Sequence, residues 1–294
     1  MAKRVRKAVL PVAGLGTRVL PAAKTTPKNM LNIFDRPIVS YVVAEARAAG
    51  IEHLIFIVGR GQSAIEDYFD HNIELETQLE AKGKDAILAE LRGELGRPGE
   101  MSFVRQMQPL GLGHAVWCAR DLIGDEPFAV ILPDMLMAAE PAALRQAVDA
   151  YEQVGGNIVV VEPVHESETH RYGIVAVETA DGRRARMTGM VEKPPQGTAP
   201  SNLIVSGRYI LQPEIFDILG AHETGAGGEI QLTDAMVKLM ATQDFHALDY
   251  DGVTYDCGDK IGLLRANVAF ALRHTELGGA ARDAVAELLL AANS

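Results

Sequence analysis

Cysteine is nearly absent: the chain of 294 residues carries two, Cys118 and Cys257, and no C-x-x-C pair. That excludes a disulfide scaffold, a zinc ribbon and a thioredoxin-type motif, and isolated thiols fit a reducing compartment. Cys118, beside Trp117 in an amphipathic stretch, and Cys257, in a tight turn, read as structural thiols rather than nucleophiles. Long apolar runs are missing too. After the basic stretch 1–7 the apolar run covers only 8–13, too short for a secretory signal. Nothing approaches the roughly 18 apolar residues of a membrane span. Positive charge is in deficit, since 28 Lys and Arg against 39 Asp and Glu leave a net −11. Such a chain is a poor binder of nucleic acid or of an anionic membrane. The eight histidines are scattered without H-E-x-x-H, and no G-x-S-x-G elbow occurs. His165 and His170 flank acidic residues, but with no third ligand in view they read as a polar loop. These absences point to a soluble, cytoplasmic globular protein.

What is present is an alternation. Residues 7–12, 53–58, 102–104, 128–132 and 157–161 are short, β-branched and almost continuously apolar, the pattern of buried strands. Between them, 37–49, 63–69, 85–95, 113–122 and 141–153 carry helical spacing. Ser63 with Glu66 matches a capping box, and Pro37 and Pro141 suit first-turn positions. The alternation predicts an α/β fold with a mostly parallel sheet covered on both faces. Beyond residue 160 the pattern changes to consecutive strands at 172–177, 186–192 and 203–211, the first two joined by the turn Ala180-Asp181-Gly182. Helices return at 229–241, 260–273 and 276–292. The charged, glycine-punctuated stretches 74–100 and 220–228 are candidate insertions or mobile loops.

The strongest local feature follows the first strand: Pro11-Val12-Ala13-Gly14-Leu15-Gly16-Thr17-Arg18, then Lys24 and Pro27-Lys28. Glycines at a strand's end let backbone N–H groups approach phosphate oxygens. The third glycine of a dinucleotide fingerprint is replaced by Val19, and no G-K-[ST] follows. Arg and Lys in one short loop suit a triphosphate, although an ordinary βα turn with solvated basic residues has the same appearance. Asp134 follows the strand 128–132, where open α/β sheets place ligands, and a carboxylate there suits Mg²⁺; a loop or capping aspartate is the alternative. Asp256 has a helix cap near residue 260 as its alternative, and Glu192-Lys193-Pro194 an exposed ion pair.

The run from Val12 to Lys28 resembles the signature of the sugar-nucleotide nucleotidylyltransferases. Further segments agree in order: Pro109-Leu110-Gly111-Leu112-Gly113-His114-Ala115, Leu132-Pro133-Asp134, Tyr172-Gly173-Ile174-Val175, Val191-Glu192-Lys193-Pro194, Gly207-Arg208-Tyr209, Gly227 to Asp234 and Tyr255 to Lys260. The resemblance covers roughly 7–275, and the Gly-Leu-Gly wording is closest to members that transfer a uridylyl group from UTP to glucose 1-phosphate. It implies a Rossmann-like mixed, mostly parallel sheet flanked by helices, in a single domain. About 1–160 would form the nucleotide half, about 161–275 the sugar-phosphate half and about 276–294 a C-terminal helix.

By the same resemblance, Ala13, Gly14, Gln106 and Gly111 hold the uracil edge, with Gly16 and Thr17 in the nucleotide loop. Arg18 and Lys28 form the phosphate-binding pair, and Asp134 and Asp256 the Mg²⁺ carboxylates. Gly173 and Glu192 meet the sugar hydroxyls, and Lys193 grips the sugar phosphate. Arg18, Lys28 and Lys193 would then carry the catalysis. UTP and glucose 1-phosphate are the implied substrates, UDP-glucose and pyrophosphate the products, and a homo-tetramer or homo-dimer the implied assembly. A related thymidylyl- or guanylyltransferase, or a weakly active regulatory paralogue, is the alternative. Asn29 stands where relatives usually carry Glu, Asn32 replaces a usual proline, and Met135 takes the place of a second acidic residue.

Overall fold

A computed structural model of the chain describes residues 3–178, 180 and 182–292. Eleven strands of three residues or more are present among them. They are β1 (Lys7–Pro11), β2 (His53–Val58), β3 (Met101–Arg105), β4 (Phe128–Ile131), β5 (Met135–Ala138) and β6 (Asn157–Pro163). After them come β7 (Gly173–Val177), β8 (Arg184–Glu192), β9 (Leu203–Leu211), β10 (Phe245–Asp249) and β11 (Val253–Asp256). Nine form one sheet in the order β3-β2-β1-β4-β9-β6-β10-β8-β7. Strands β1 to β4 pair in parallel, as do β6 and β10, whereas β8 and β9 pair antiparallel with every neighbour. Seven of the nine strands therefore run one way, giving the mixed, mostly parallel sheet that the alternation predicts. Strands β5 and β11 form a separate antiparallel pair beside it.

The α-helices are α1 (Ile38–Ala48), α2 (Ser63–Tyr68), α3 (Ile73–Ala81), α4 (Asp85–Glu94), α5 (Leu112–Trp117) and α6 (Arg120–Ile123). The rest are α7 (Ala143–Val154), α8 (Ile215–Leu219), α9 (Leu232–Leu239), α10 (Lys260–Arg273) and α11 (Gly278–Ala292). Strand period two divides the core between the faces. Ala8, Leu10 and Phe56 pack with Val39, Val42 and Ala46 of α1 and Leu144, Ala147 and Tyr151 of α7. Val9, Ile55 and Ile57 pack with Val116 of α5, Phe216 of α8 and Met236 of α9. Each such fully buried large side chain contributes about 1.5–3 kcal/mol. No helix among the described residues is long and apolar enough to cross a membrane.

Several sequence expectations need correction. In the stretch 74–100 the helix expected over 85–95 forms as α4, but a second helix, α3, precedes it, and Glu94 and Glu100 anchor the stretch to Arg36 and Arg47 at 3.0 and 2.8 Å. The Ser63–Glu66 capping box does not form. Ser63 is already helical, and the capping position belongs to Gln62, whose amide is engaged with Gly59 N and Val12 O. Pro37 caps α1 from outside, and Pro141 precedes the cap of α7. The helix expected over 113–122 is two short ones, and that expected from 229 begins at Leu232. Within 220–228, Ala226–Gly228 forms a single 3₁₀ turn. Of the expected turn at 180–182, Asp181 lies outside the described residues.

Candidate active site

Strands β1, β2 and β4 are parallel, so the chain leaves all three at one edge of the sheet, where open α/β folds place ligands. The loop after β1 is held there from below. Val12 N donates to Ile57 O at 3.0 Å, and the Val12 carbonyl accepts from the amides of Gln62 (2.9 Å) and the wholly buried Asn29 (3.3 Å). Above it, Gly16 turns the chain at φ 65° into a short 3₁₀ segment, Thr17–Val19. A Cβ at Gly16 would stand 2.9 Å from Lys28 Cβ, so both the left-handed turn and the approach of Lys28 require glycine. Ala13, Gly14, Thr17 and Arg18 line the rim of this loop, with Gly14, Thr17 and Arg18 exposed.

Two carboxylates face these cations. Asp134 follows β4 and precedes β5, and β11 pairs with β5 so that Asp256 sits opposite Met135. Cys257 N donates to Asp134 O at 2.7 Å, which locks the two acidic segments together. Lys28 Nζ reaches Asp134 Oδ2 at 2.5 Å, and Arg18 Nη1 lies 3.6 Å from Asp256 Oδ2. Two cations from the loop after β1 and two carboxylates from two further segments thus converge. Burial alone would raise the Asp134 carboxyl, but the Lys28 charge and hydrogen bond, helped by Arg18, hold it below the usual range. Burial pushes Asp256 up, and repulsion from Asp134 adds to that against the opposing pull of Gly258 N–H and Arg18. The helix-cap reading of Asp256 fails: α10 is capped by Asp259, whose Oδ1 accepts from Ile261 N and Gly262 N at 3.0 and 2.8 Å. Asp256 Oδ1 accepts only a local bond from Gly258 N at 2.8 Å.

These residues fit a divalent cation of limited kind. No group of three or more His, Cys, Asp or Glu among the described residues is arranged to hold a metal. Two hard carboxylate oxygens with the remaining ligands supplied by water and phosphate is the habit of Mg²⁺. Asp256, whose proton affinity burial and then Asp134 raise, gains from such a charge.

Two further groups bring together residues that the sequence singled out. Register places Glu192 of β8 directly opposite Gly173 of β7, so residues far apart in sequence become cross-strand neighbours. Glu192 Oε2 accepts from Thr233 Oγ1 at 3.2 Å, while Lys193 Nζ lies 3.4 Å from Glu192 Oε1 on an exposed side chain. Lys193 itself is held at φ 46°, its N–H bonded to Tyr172 O at 3.0 Å, a left-handed position that a lysine occupies only under local constraint. Burial, and then the negative charge of Glu192 with Asp134 a lesser contributor, raises the buried Tyr209 hydroxyl. On the other side, Gln106 N donates to Val58 O at 2.9 Å and its Nε2 to Gly111 O at 3.1 Å. Gly111 sits at φ 105°, where a Cβ would meet Ile230 O at 2.9 Å.

The residues singled out from sequence thus fall in three groups, each held together by contacts of its own. A family model described as nucleotidyl transferase matches residues 7–271. The chain belongs to the nucleotidyl transferase family. A UTP–glucose-1-phosphate uridylyltransferase of Bacillus subtilis is 50% identical over 275 residues, 94% of each chain. One of Staphylococcus haemolyticus is 47% identical over 94% of this chain and 95% of its own. The structure of a UTP-bound UGPase from Acinetobacter baumannii superposes with a TM-score of 0.90 at 43% identity, over 97% of this chain and 99% of the other. A UDP-glucose pyrophosphorylase complexed with UDP-glucose gives 0.84 at 39%, over 92% and 100%.

Within this nucleotidyl transferase, sequence reasoning passed over two supports. Arg208, fully buried, forms an ion pair with Glu45 at 2.7 Å and donates to Leu132 O and Met135 O at 3.0 and 2.9 Å, gripping the chain on both sides of Asp134. Thr233 orients Glu192. Their one signal in the sequence is their place in the runs Gly207-Arg208-Tyr209 and Gly227 to Asp234.

Proposed function

We propose that this chain transfers the uridylyl group of UTP to α-D-glucose 1-phosphate, releasing pyrophosphate. The observation that carries the reading is the Arg18–Asp256 and Lys28–Asp134 pairing beside the glycine loop. Each cation can pass to a phosphate while its carboxylate passes to a metal, so a metal-bound triphosphate replaces both ion pairs without leaving a charge unpaired. The match to relatives of that activity over nearly the whole chain supports the choice of substrates.

A sugar-phosphate oxygen is already a nucleophile, so no side chain need attack. It forms a bond to the α-phosphorus as the bond from that phosphorus to the bridging oxygen breaks, and pyrophosphate leaves in line. Lys193 holds the attacking phosphate, Glu192 and Gly173 the sugar hydroxyls, and Arg18 and Lys28 the triphosphate. Asp134 and Asp256 would hold Mg²⁺, which when bound supplies neutralising charge to the phosphates. Ala13 and Gly14 backbone groups with Gln106 and Gly111 read the base. On this reading residues 1–160 serve the nucleotide, 161–275 the sugar phosphate, and the exposed Leu288 and Leu290 of α11 a second copy of the chain.

A coupled pyrophosphate-release assay over a panel of triphosphates tests this. UTP should far exceed ATP and GTP, because a site shaped for a pyrimidine cannot seat a purine, with dTTP the nearest competitor. A higher kcat/KM for GTP would refute the uridylyl reading while leaving the family untouched.

The two halves are separable by truncation. Losing a charge-assisted bond to phosphate costs about 1.5–3 kcal/mol, roughly 10–150-fold. Lys193→Ala should weaken glucose 1-phosphate use by that factor and leave UTP affinity unchanged in direct titration. Arg18→Ala should do the reverse. Loss of UTP affinity in Lys193→Ala with normal sugar-phosphate binding would overturn the division.

A further inference from the structure

We propose that His114 locks the Gln106 amide in one orientation and thereby restricts the base site to pyrimidines that carry a ring N–H. This rests on Gln106 reading the base, as proposed above. Gln106 Nε2 lies 3.1 Å from the Gly111 carbonyl oxygen. A carbonyl only accepts, so the amide atom there is the nitrogen. The same Nε2 lies 3.0 Å from His114 Nδ1. That ring nitrogen must be the acceptor, which makes the imidazole neutral with its proton on Nε2.

The surroundings of His114 agree. Cys118 Sγ, 4.0 Å from the same Nδ1, offers a second donor, and burial holds that thiol protonated. Burial, with His222 as the lesser contributor, keeps the His114 pKa below the usual histidine value. An imidazolium would set N–H against N–H. The ring is buried, stacks near Trp117 with centroids 6.0 Å apart, and meets His222 edge-on at 5.7 Å. Gly113 N, donating to Ile230 O at 2.8 Å, ties down the start of its helix. The acceptor is thus presented by a rigid element.

With both amide hydrogens spent inside the protein, Gln106 can offer a ligand only Oε1, which has no partner among the described residues. An acceptor there suits N3–H of uracil or thymine. Cytosine brings a lone pair at N3, and acceptor would meet acceptor. Turning the amide over would suit cytosine, but it would press Oε1 against the Gly111 carbonyl and rob His114 Nδ1 of its donor. His114 is therefore a positioning residue, and discrimination against CTP is stored in the chain His114–Gln106–Gly111.

Equilibrium titrations of UTP and CTP against the wild type, Gln106→Ala, His114→Leu and His114→Asn test this. Leucine keeps the bulk and removes the acceptor, whereas the asparagine amide oxygen can stand where Nδ1 stood. His114→Leu should reduce the preference for UTP over CTP by roughly tenfold, the worth of one lost hydrogen bond, and His114→Asn should restore it. Full preference in a folded His114→Leu overturns the lock. If Gln106→Ala itself binds UTP with unchanged affinity and preference, the base-site reading is what has failed. ¹⁵N NMR of the unmutated protein provides a check that needs no variant: His114 should show a bare Nδ1 and a protonated Nε2, and a protonated Nδ1 overturns the proposal.

Discussion

Asp134→Asn should fold normally and lose turnover by roughly two to three orders of magnitude, the scale on which one preorganised electrostatic contact acts in a water-poor site. The substitution keeps shape and removes one charge. It leaves Lys28 Nζ, now 2.5 Å from Asp134 Oδ2, without its carboxylate, and on the proposed reading Asp256 would be the one acidic ligand left. The repulsion that helps raise Asp256 disappears at the same time, so the Asp256 carboxyl should titrate lower in the variant. Some stability should be lost with the pair, because both side chains are largely buried, although the neutral amide keeps the shape of the site. The decisive measurement is initial rate against Mg²⁺ concentration. EDTA should silence the wild type and added Mg²⁺ restore it, while the variant should stay slow at every concentration. Near-normal turnover of Asp134→Asn at limiting Mg²⁺ would remove Asp134 from the metal role.

Sequence made the N-terminal half of the sheet legible because its strands are buried on both faces. Runs such as His53–Val58 are continuously apolar, and nothing else in a chain of this composition needs that pattern. Strand β10 escaped for the opposite reason. Phe-His-Ala-Leu-Asp has no β-branched residue and two polar ones, and it becomes a strand between β6 and β8 only because two neighbours supply its ladder. Met135–Ala138 has helix-forming residues and is extended by pairing with β11. Within the charged stretch 74–100 the helix over 85–95 was legible, but that over 73–81 was not, and what anchors the stretch is polar: Glu94 accepts from Arg36 at 3.0 Å and from the Tyr68 hydroxyl at 3.2 Å. At the site, the family resemblance carried by the motifs named the residues but not their company. Glu192 meets Gly173 through strand register, and Asp256 is released from a capping role only because Asp259 takes it. Register and competition for a cap are decided by the folded chain, and neither leaves a mark on local sequence.

Arg208 should produce the largest stability effect of any single position at the site's rim. Its guanidinium is fully buried and all its donors are directed: Nε and Nη2 to the Glu45 carboxylate at 3.0 and 2.7 Å, Nη1 to Leu132 O and Gly207 O at 3.0 and 3.3 Å, and Nη2 also to Met135 O at 2.9 Å. Arg208→Met would strand a buried carboxylate, which costs about 3–5 kcal/mol. Against a total stability of about 5–15 kcal/mol, that should show as a large fall in the urea midpoint. The double variant Arg208→Met with Glu45→Leu separates two roles. An apolar pair of similar volume removes the stranded charge, so most of the stability should return. Turnover should not return, because the carbonyls of Leu132 and Met135 lose the fork that sets the position of Asp134 between them. If the double variant recovered both stability and kcat, Arg208 would be a core filler and the Asp134 segment would hold its place unaided. If Arg208→Met alone kept the wild-type midpoint, the buried charge on Glu45 would have to be absent, and the ion pair with it.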